Sequence, residues 1–162
     1  MTKSAHLVFH GGLRFDATMG SGHRVSFEST GTDVSSSPRE VILAALGACG
    51  GMDVAAILIK KRQRVTLHEI DVQGEERGEH PQMFTTITVT HRVEGPDLDP
   101  EAVRRSIELS ATKYCPVNAM LAWGKVRILH RYIAQSDAGQ FAADVVTVGP
   151  DGAGLAEELA PA

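Results

Sequence analysis

Apolar and polar positions alternate with a period of two in AHLVFH (residues 5–10) and HRVSFES (residues 23–29), the pattern of half-buried strands. Between them, GLRFDATMGSGH is rich in glycine and polar residues and reads as a turn. The chain is therefore expected to open with a short antiparallel sheet. The pattern then changes: from Val41 to Ile59 apolar residues are nearly continuous, broken by Asp53 and by glycines at 47, 50 and 51. Pro38 suits a first helical turn, Ser35 to Ser37 supply N-cap candidates, and Lys60, Lys61 and Arg62 suit a carbonyl end. A helix from Pro38 to about Lys60 is expected. Its length raises a membrane span, but a central Asp53 and three glycines argue against one.

Further on, VTLHEIDVQGEE (65–76) and MFTTITVTHRVE (83–94) alternate again and are rich in β-branched residues, so they are expected to pair as a hairpin across RGEHPQ. LDPEAVRRSIELSATKYC places Val103, Ile107 and Ala111 at helical spacing, with Asp99 as N-cap and Pro100 in the first turn. Pro116 interrupts that helix and starts a short third one over PVNAMLAW. KVRILHRYIA then reads as a closing strand, with Val126, Ile128 and His130 alternating against charged neighbours. The expected domain spans residues 1–136. Residues 137–162 contain no Lys or Arg, are rich in Ala and Gly, and read as an acidic tail with one weak strand at DVVTV.

Composition excludes more than it assigns. A chain of 162 residues fits one core, able to bury roughly 70% of its unfolded surface. A net charge of -4 with 43% apolar residues fits neither a nucleic-acid binder nor a disordered chain. The segment MTKSAHLVFH is too short in apolar residues for a signal peptide, and two cysteines make no disulfide framework, so a cytoplasmic setting is expected. His6, His10 and His23 lie too far apart on strands to share a metal, and no P-loop, Cys-x-x-Cys or dinucleotide fingerprint occurs. No metal and no cofactor are expected.

The central helix is apolar on every face, whereas a helix resting on one sheet needs only a stripe. Small residues at 44, 45, 47, 48, 50 and 51 would admit a close neighbour. A second copy of the chain is the expected cover, giving a homodimer.

SPREVILAALGACGGMDV followed by KYCPVNAML resembles the OsmC/Ohr group of thiol-dependent peroxidases, and GSGHRV with CGGMDV and ILIKKRQ is most similar to its YhfA-like branch. The resemblance implies an α+β fold with a curved antiparallel sheet, a long buried central helix and an intertwined homodimer. It also implies Cys49 as peroxidatic cysteine, Cys115 as resolving cysteine, and Glu40 as the carboxylate near the start of the cysteine helix. The implied substrate is an organic hydroperoxide, and the implied reductant a dithiol of lipoyl or thioredoxin type. Arg14, Arg24 and Arg39 are the candidates for an assisting arginine.

Local chemistry leaves the nucleophile open. Cys49 lies deep in its helix, beyond much help from the dipole, and Asp53 follows one turn later as an unfavourable charge. Cys115, beside Lys113 at the start of a helix, has the better local field. Asp53 itself is expected to serve as a structural hydrogen-bond acceptor. Without the resemblance Cys49 reads as a small core residue. A noncatalytic dimer binding a small apolar ligand on the same fold is therefore the alternative to a peroxidase.

Overall fold

The computed structural model describes residues 2–29, 35–124, 126–150 and 152, and falls into two compact units, Met1–Ala44 and Ala45–Ala162. In the first, β1 (Ala5–Phe9), β2 (Phe15–Met19) and β3 (Arg24–Phe27) form an antiparallel sheet in that order. The segment expected as one turn thus contains a strand. Phe15 stands opposite Phe9 on one side and Phe27 on the other, and the Phe9 and Phe15 rings lie 5.4 Å apart. Such cross-strand aromatic pairing outweighs the turn cues of the neighbouring residues. The turns contract to Gly11 and Gly12, at φ of 92° and 57°, and to the region of Gly22, at φ of 87°. Every residue of β1 is exposed, so the half-buried face its alternation suggested has no covering layer within this unit.

The long helix, α1, runs from Pro38 to Lys60 as expected. Ser37 and Glu40 form a capping box at its start: the Glu40 N–H donates to Ser37 Oγ (3.3 Å) and the Ser37 N–H to Glu40 Oε2 (2.7 Å). These bonds hold the Glu40 carboxyl below the usual carboxylate range. Among the described residues α1 is the one helix long and apolar enough to cross a membrane. In the fold it buries Leu46, Gly47, Gly50, Gly51, Val54 and Leu58 against protein.

The second unit carries a four-stranded sheet in the order β4 (Leu67–Glu76), β5 (Phe84–Glu94), β6 (Arg127–Ser136), β7 (Gly139–Val148). β4 and β5 are the expected hairpin. The connection from β5 to β6 passes through two helices, α2 (Pro100–Leu109) and α3 (Pro116–Trp123), and such a crossover returns the chain parallel. The sheet is therefore mixed, where an antiparallel one was expected. Asp99 caps α2, accepting from the Glu101 N–H at 2.9 Å. The core joins Val54 and Leu58 of α1 to Val93 of β5, Val103 and Ile107 of α2, and Ala134 of β6.

The boundary expected at residue 136 falls inside the β6–β7 hairpin. The weak strand expected at DVVTV is the second half of a ten-residue strand paired with β6 from Gly139 to Val148. Residues 153–162 of the expected tail lie outside the described residues.

Two of the helix's small residues face β4 of the same chain. A Cβ on Gly47 would stand 2.9 Å from Val72 Cγ2, and one on Gly51 would collide with Ile70 Cδ1. Gly47→Val should therefore overpack a seat already filled by a stiff side chain. Overpacking costs about 1–3 kcal/mol, and valine regains at most about 0.5 kcal/mol of helix propensity over glycine. A lower urea midpoint is expected; an unchanged one would mean that Val72 does not hold the helix.

Candidate functional site

The two cysteines come from two different helical segments of the second unit. Cys49 lies near the middle of α1, among residues whose glycines let the helix settle on β4. Cys115 arrives by a different route. After Leu109 the chain widens into a π-helical turn, Ser110–Tyr114, closed by the bond from the Cys115 N–H to Ser110 O at 2.9 Å. Cys115 then leaves helical geometry at φ -74°, ψ 105°, as a residue before proline must, and becomes the N-cap of α3. Its sulfur accepts the Asn118 N–H at 3.3 Å. Widened turns of this kind cluster at functional sites, because one extra residue re-aims the side chains that follow.

This path brings the Cys115 thiol close enough to Cys49 for Cys49 to influence its protonation. The two cysteines are not joined by a disulfide. They differ in access: Cys115 is only 4% exposed, whereas Cys49 is half-buried. Burial, then the neighbouring Cys49 and the Asp53 charge push the Cys115 thiol up to about 12, against the opposing pull of the Asn118 N–H. The local field that favoured Cys115 in the sequence is therefore overruled by desolvation. Lys113, the cation expected to help it, stands over the Tyr114 ring, 5.9 Å from its centroid.

Asp53 has the structural partner expected of it. Ser110 Oγ donates to Asp53 Oδ2 at 3.0 Å and approaches Gly50 O at 3.5 Å, so the serine that opens the π-helical turn ties it to α1 one turn beyond Cys49. Glu40 is placed in the capping box rather than beside the thiols. Arg14 and Asp16 form an ion pair at 3.6 Å within the first unit, where Asp16 also meets His10 and accepts from Ser26.

A polar seam behind Cys115 has no counterpart in the sequence reading. Asn118, fully buried, donates through Nδ2 to Ala111 O at 2.7 Å and accepts at Oδ1 from His130 Nε2 at 2.8 Å. His130 of β6 stacks with His91 of β5, ring centroids 6.4 Å apart, and His91 shares a 3.1 Å hydrogen bond with His68 of β4. Burial drives His91 down to about 3 and His130 to about 4, so both rings are neutral at physiological pH. His130 was legible as an inward position, but its neighbours were not, since register between strands decides which histidines meet. Among the described residues no group of three or more His, Cys, Asp or Glu side chains is placed to hold a metal ion.

A family model described as OsmC-like protein matches residues 31–128. Protein YhfA of Escherichia coli K12 is 41% identical over 121 residues, covering 75% of this chain and 90% of that protein. Among solved structures, a hypothetical protein from Aquifex aeolicus superposes with a TM-score of 0.75 at 26% identity, covering 84% of this chain and 98% of that one. The organic hydroperoxide resistance protein OhrB of Bacillus subtilis shares the fold at a TM-score of 0.57 and 19% identity, covering 82% of this chain and 98% of its own.

Proposed function

The chain belongs to the OsmC-like protein family, and from that premise we propose that it is a thiol peroxidase acting on organic hydroperoxides, with Cys49 as nucleophile and Cys115 as resolving thiol. The observation that carries this reading is a half-buried cysteine beside a buried one whose protonation it influences. The accessible thiolate attacks the terminal oxygen of the peroxide; the O–O bond breaks and the remaining oxygen leaves as an alcohol after taking a proton. Cys49 is then a sulfenic acid. Cys115 condenses with it, forming the S–S bond and releasing water. A dithiol of lipoyl or thioredoxin type, itself oxidised to a disulfide, returns both cysteines to thiols. That reset needs a reducing compartment, and the cytoplasm supplies one.

Glu40 contributes by closing the first turn of the helix that carries Cys49. A second copy of the chain belongs to the same reading. Met52 and Ile59 of α1 are 68% and 74% exposed, large apolar side chains on a helix that buries only the face of Leu46, Gly47, Gly50, Gly51, Val54 and Leu58. Leu7, Leu13 and Phe15 in the first unit are likewise open. Patches of this kind mark an interface, and a homodimer covers them without any further partner.

With a dithiol present, the wild type is expected to consume cumene hydroperoxide catalytically, and Cys49→Ser to abolish turnover. Unchanged turnover in that variant would reject the assignment. The competing reading, a noncatalytic dimer that holds a small apolar ligand, is favoured by the burial and the Asp53 charge that oppose thiolate formation at Cys115. It predicts no peroxide consumption by the wild type and apolar-ligand binding that survives replacement of both cysteines.

A further inference from the structure

Asn118 uses its backbone and side chain to join three elements: Cys115 at the start of α3, Ala111 in the π-helical turn, and His130 on β6. Since Nδ2 donates to the Ala111 carbonyl, Oδ1 is turned toward His130 and can only accept. His130 therefore carries its proton on Nε2. Its Nδ1 is buried and has no hydrogen-bond partner among the described residues, so the ring makes one directed bond, and that bond goes to Asn118. A partly satisfied polar group in an apolar layer is costly, and a leucine would fill the same place against the sheet. What the histidine adds over a leucine is a fixed Asn118, and through it a fixed helix start at Cys115.

We propose that Asn118 and His130 are positioning residues for Cys115, holding its sulfur where it can bond to Cys49. This rests on reading the two cysteines as a redox pair. Disulfide formation demands a narrow geometry, and a sulfur released from its N-cap loses effective concentration toward its partner. The backbone N–H of residue 118 that donates to Cys115 Sγ would survive substitution of the Asn118 side chain, but the orientation of the helix start that delivers it would not.

The test uses oxidised glutathione in place of peroxide: two protein thiols are oxidised to the Cys49–Cys115 disulfide while one glutathione disulfide is reduced to two thiols. The equilibrium constant for this closure is compared across variants. In His130→Gln the amide nitrogen falls where Nε2 stood and still donates; in His130→Asn it falls one methylene short, and in His130→Leu it is gone. His130→Asn, His130→Leu and Asn118→Ala are each expected to lower the constant at least about tenfold, a shift of about 30 mV, while His130→Gln stays close to wild type. Cooperative urea unfolding establishes that each variant is folded. Should the leucine variant fail to fold, the asparagine and glutamine variants carry the same contrast. Closure at the wild-type value in every variant, or a loss in His130→Gln equal to that in His130→Asn, would overturn the proposal, as would a wild-type pair that does not close. A wild-type pair that closes against glutathione yet consumes no hydroperoxide would remove the peroxidase reading and leave the positioning role standing.

Discussion

In a Cys49→Ser protein at neutral pH, Cys115 is expected to react with iodoacetamide at least about a hundredfold more slowly than a free cysteine, whose pKa is about 8.5. The thiolate is the species that reacts, and a thiol pushed up to about 12 has roughly a thousandth of the thiolate of a free cysteine. Replacing Cys49 by serine takes away its thiolate charge, but burial, the largest cause of the shift, remains. Steric closure acts in the same direction, because Cys115 is 4% exposed. The reciprocal protein, Cys115→Ser, retains the more open sulfur and should be alkylated readily at Cys49. Mass spectrometry of the two variants against time gives the ratio directly. If Cys115 were the faster of the two, the nucleophile and the resolving thiol would have to exchange roles. The prediction concerns thiols alone, so it discriminates between the cysteines whatever the oxidant is.

The elements that carry Cys49 were legible because their signals are local. Ser37, Pro38 and Glu40 mark the start of α1, and an unbroken apolar run marks its body. Asp99 and Pro116 were equally clear, since an N-cap and a prolyl ring act on their immediate neighbours. What escaped was set at a distance. β2 is a strand because Phe15 finds Phe9 and Phe27, and β7 is one because β6 offers it an edge. The direction of β6 depends on a crossover, not on its own residues. At the site, the sequence showed Cys115 at a helix start near a lysine, which favours a thiolate. It did not show the depth at which that helix start is buried, and desolvation decides the outcome. The histidine seam was hidden for the same reason, because inward alternation places one histidine on each of three strands but only register brings the rings together.

That seam makes the protein's stability depend on pH above the range where carboxylates titrate. His91 and His130 are buried and neutral, with native values lowered by burial to about 3 and about 4. An unfolded histidine takes up a proton near pH 6.5. Between pH 6.5 and about 4 the unfolded state thus binds more protons than the native state, so stability is full above pH 6.5 and falls as the solution is acidified. With two such groups the slope approaches two protons, or about 2.7 kcal/mol per pH unit, and the loss between pH 7 and pH 4.8 is on the order of 3–5 kcal/mol. That is a large share of the 5–15 kcal/mol typical of a folded domain. Asp16, Glu40, Glu101 and Glu108, whose carboxyls are held below their ordinary values, add their own acid sensitivity only at lower pH. Urea unfolding measured between pH 5 and pH 7 therefore isolates the histidines. His91→Gln should lower the slope by about one proton, and His91→Gln with His130→Gln by about two, leaving the contribution of His68, whose value burial also lowers. A double variant that kept the wild-type slope would show that these two rings do not stay neutral in the folded protein. The seam behind Cys115 would then be a charged one, with Nε2 of His130 still donating to Asn118 and the added proton on Nδ1.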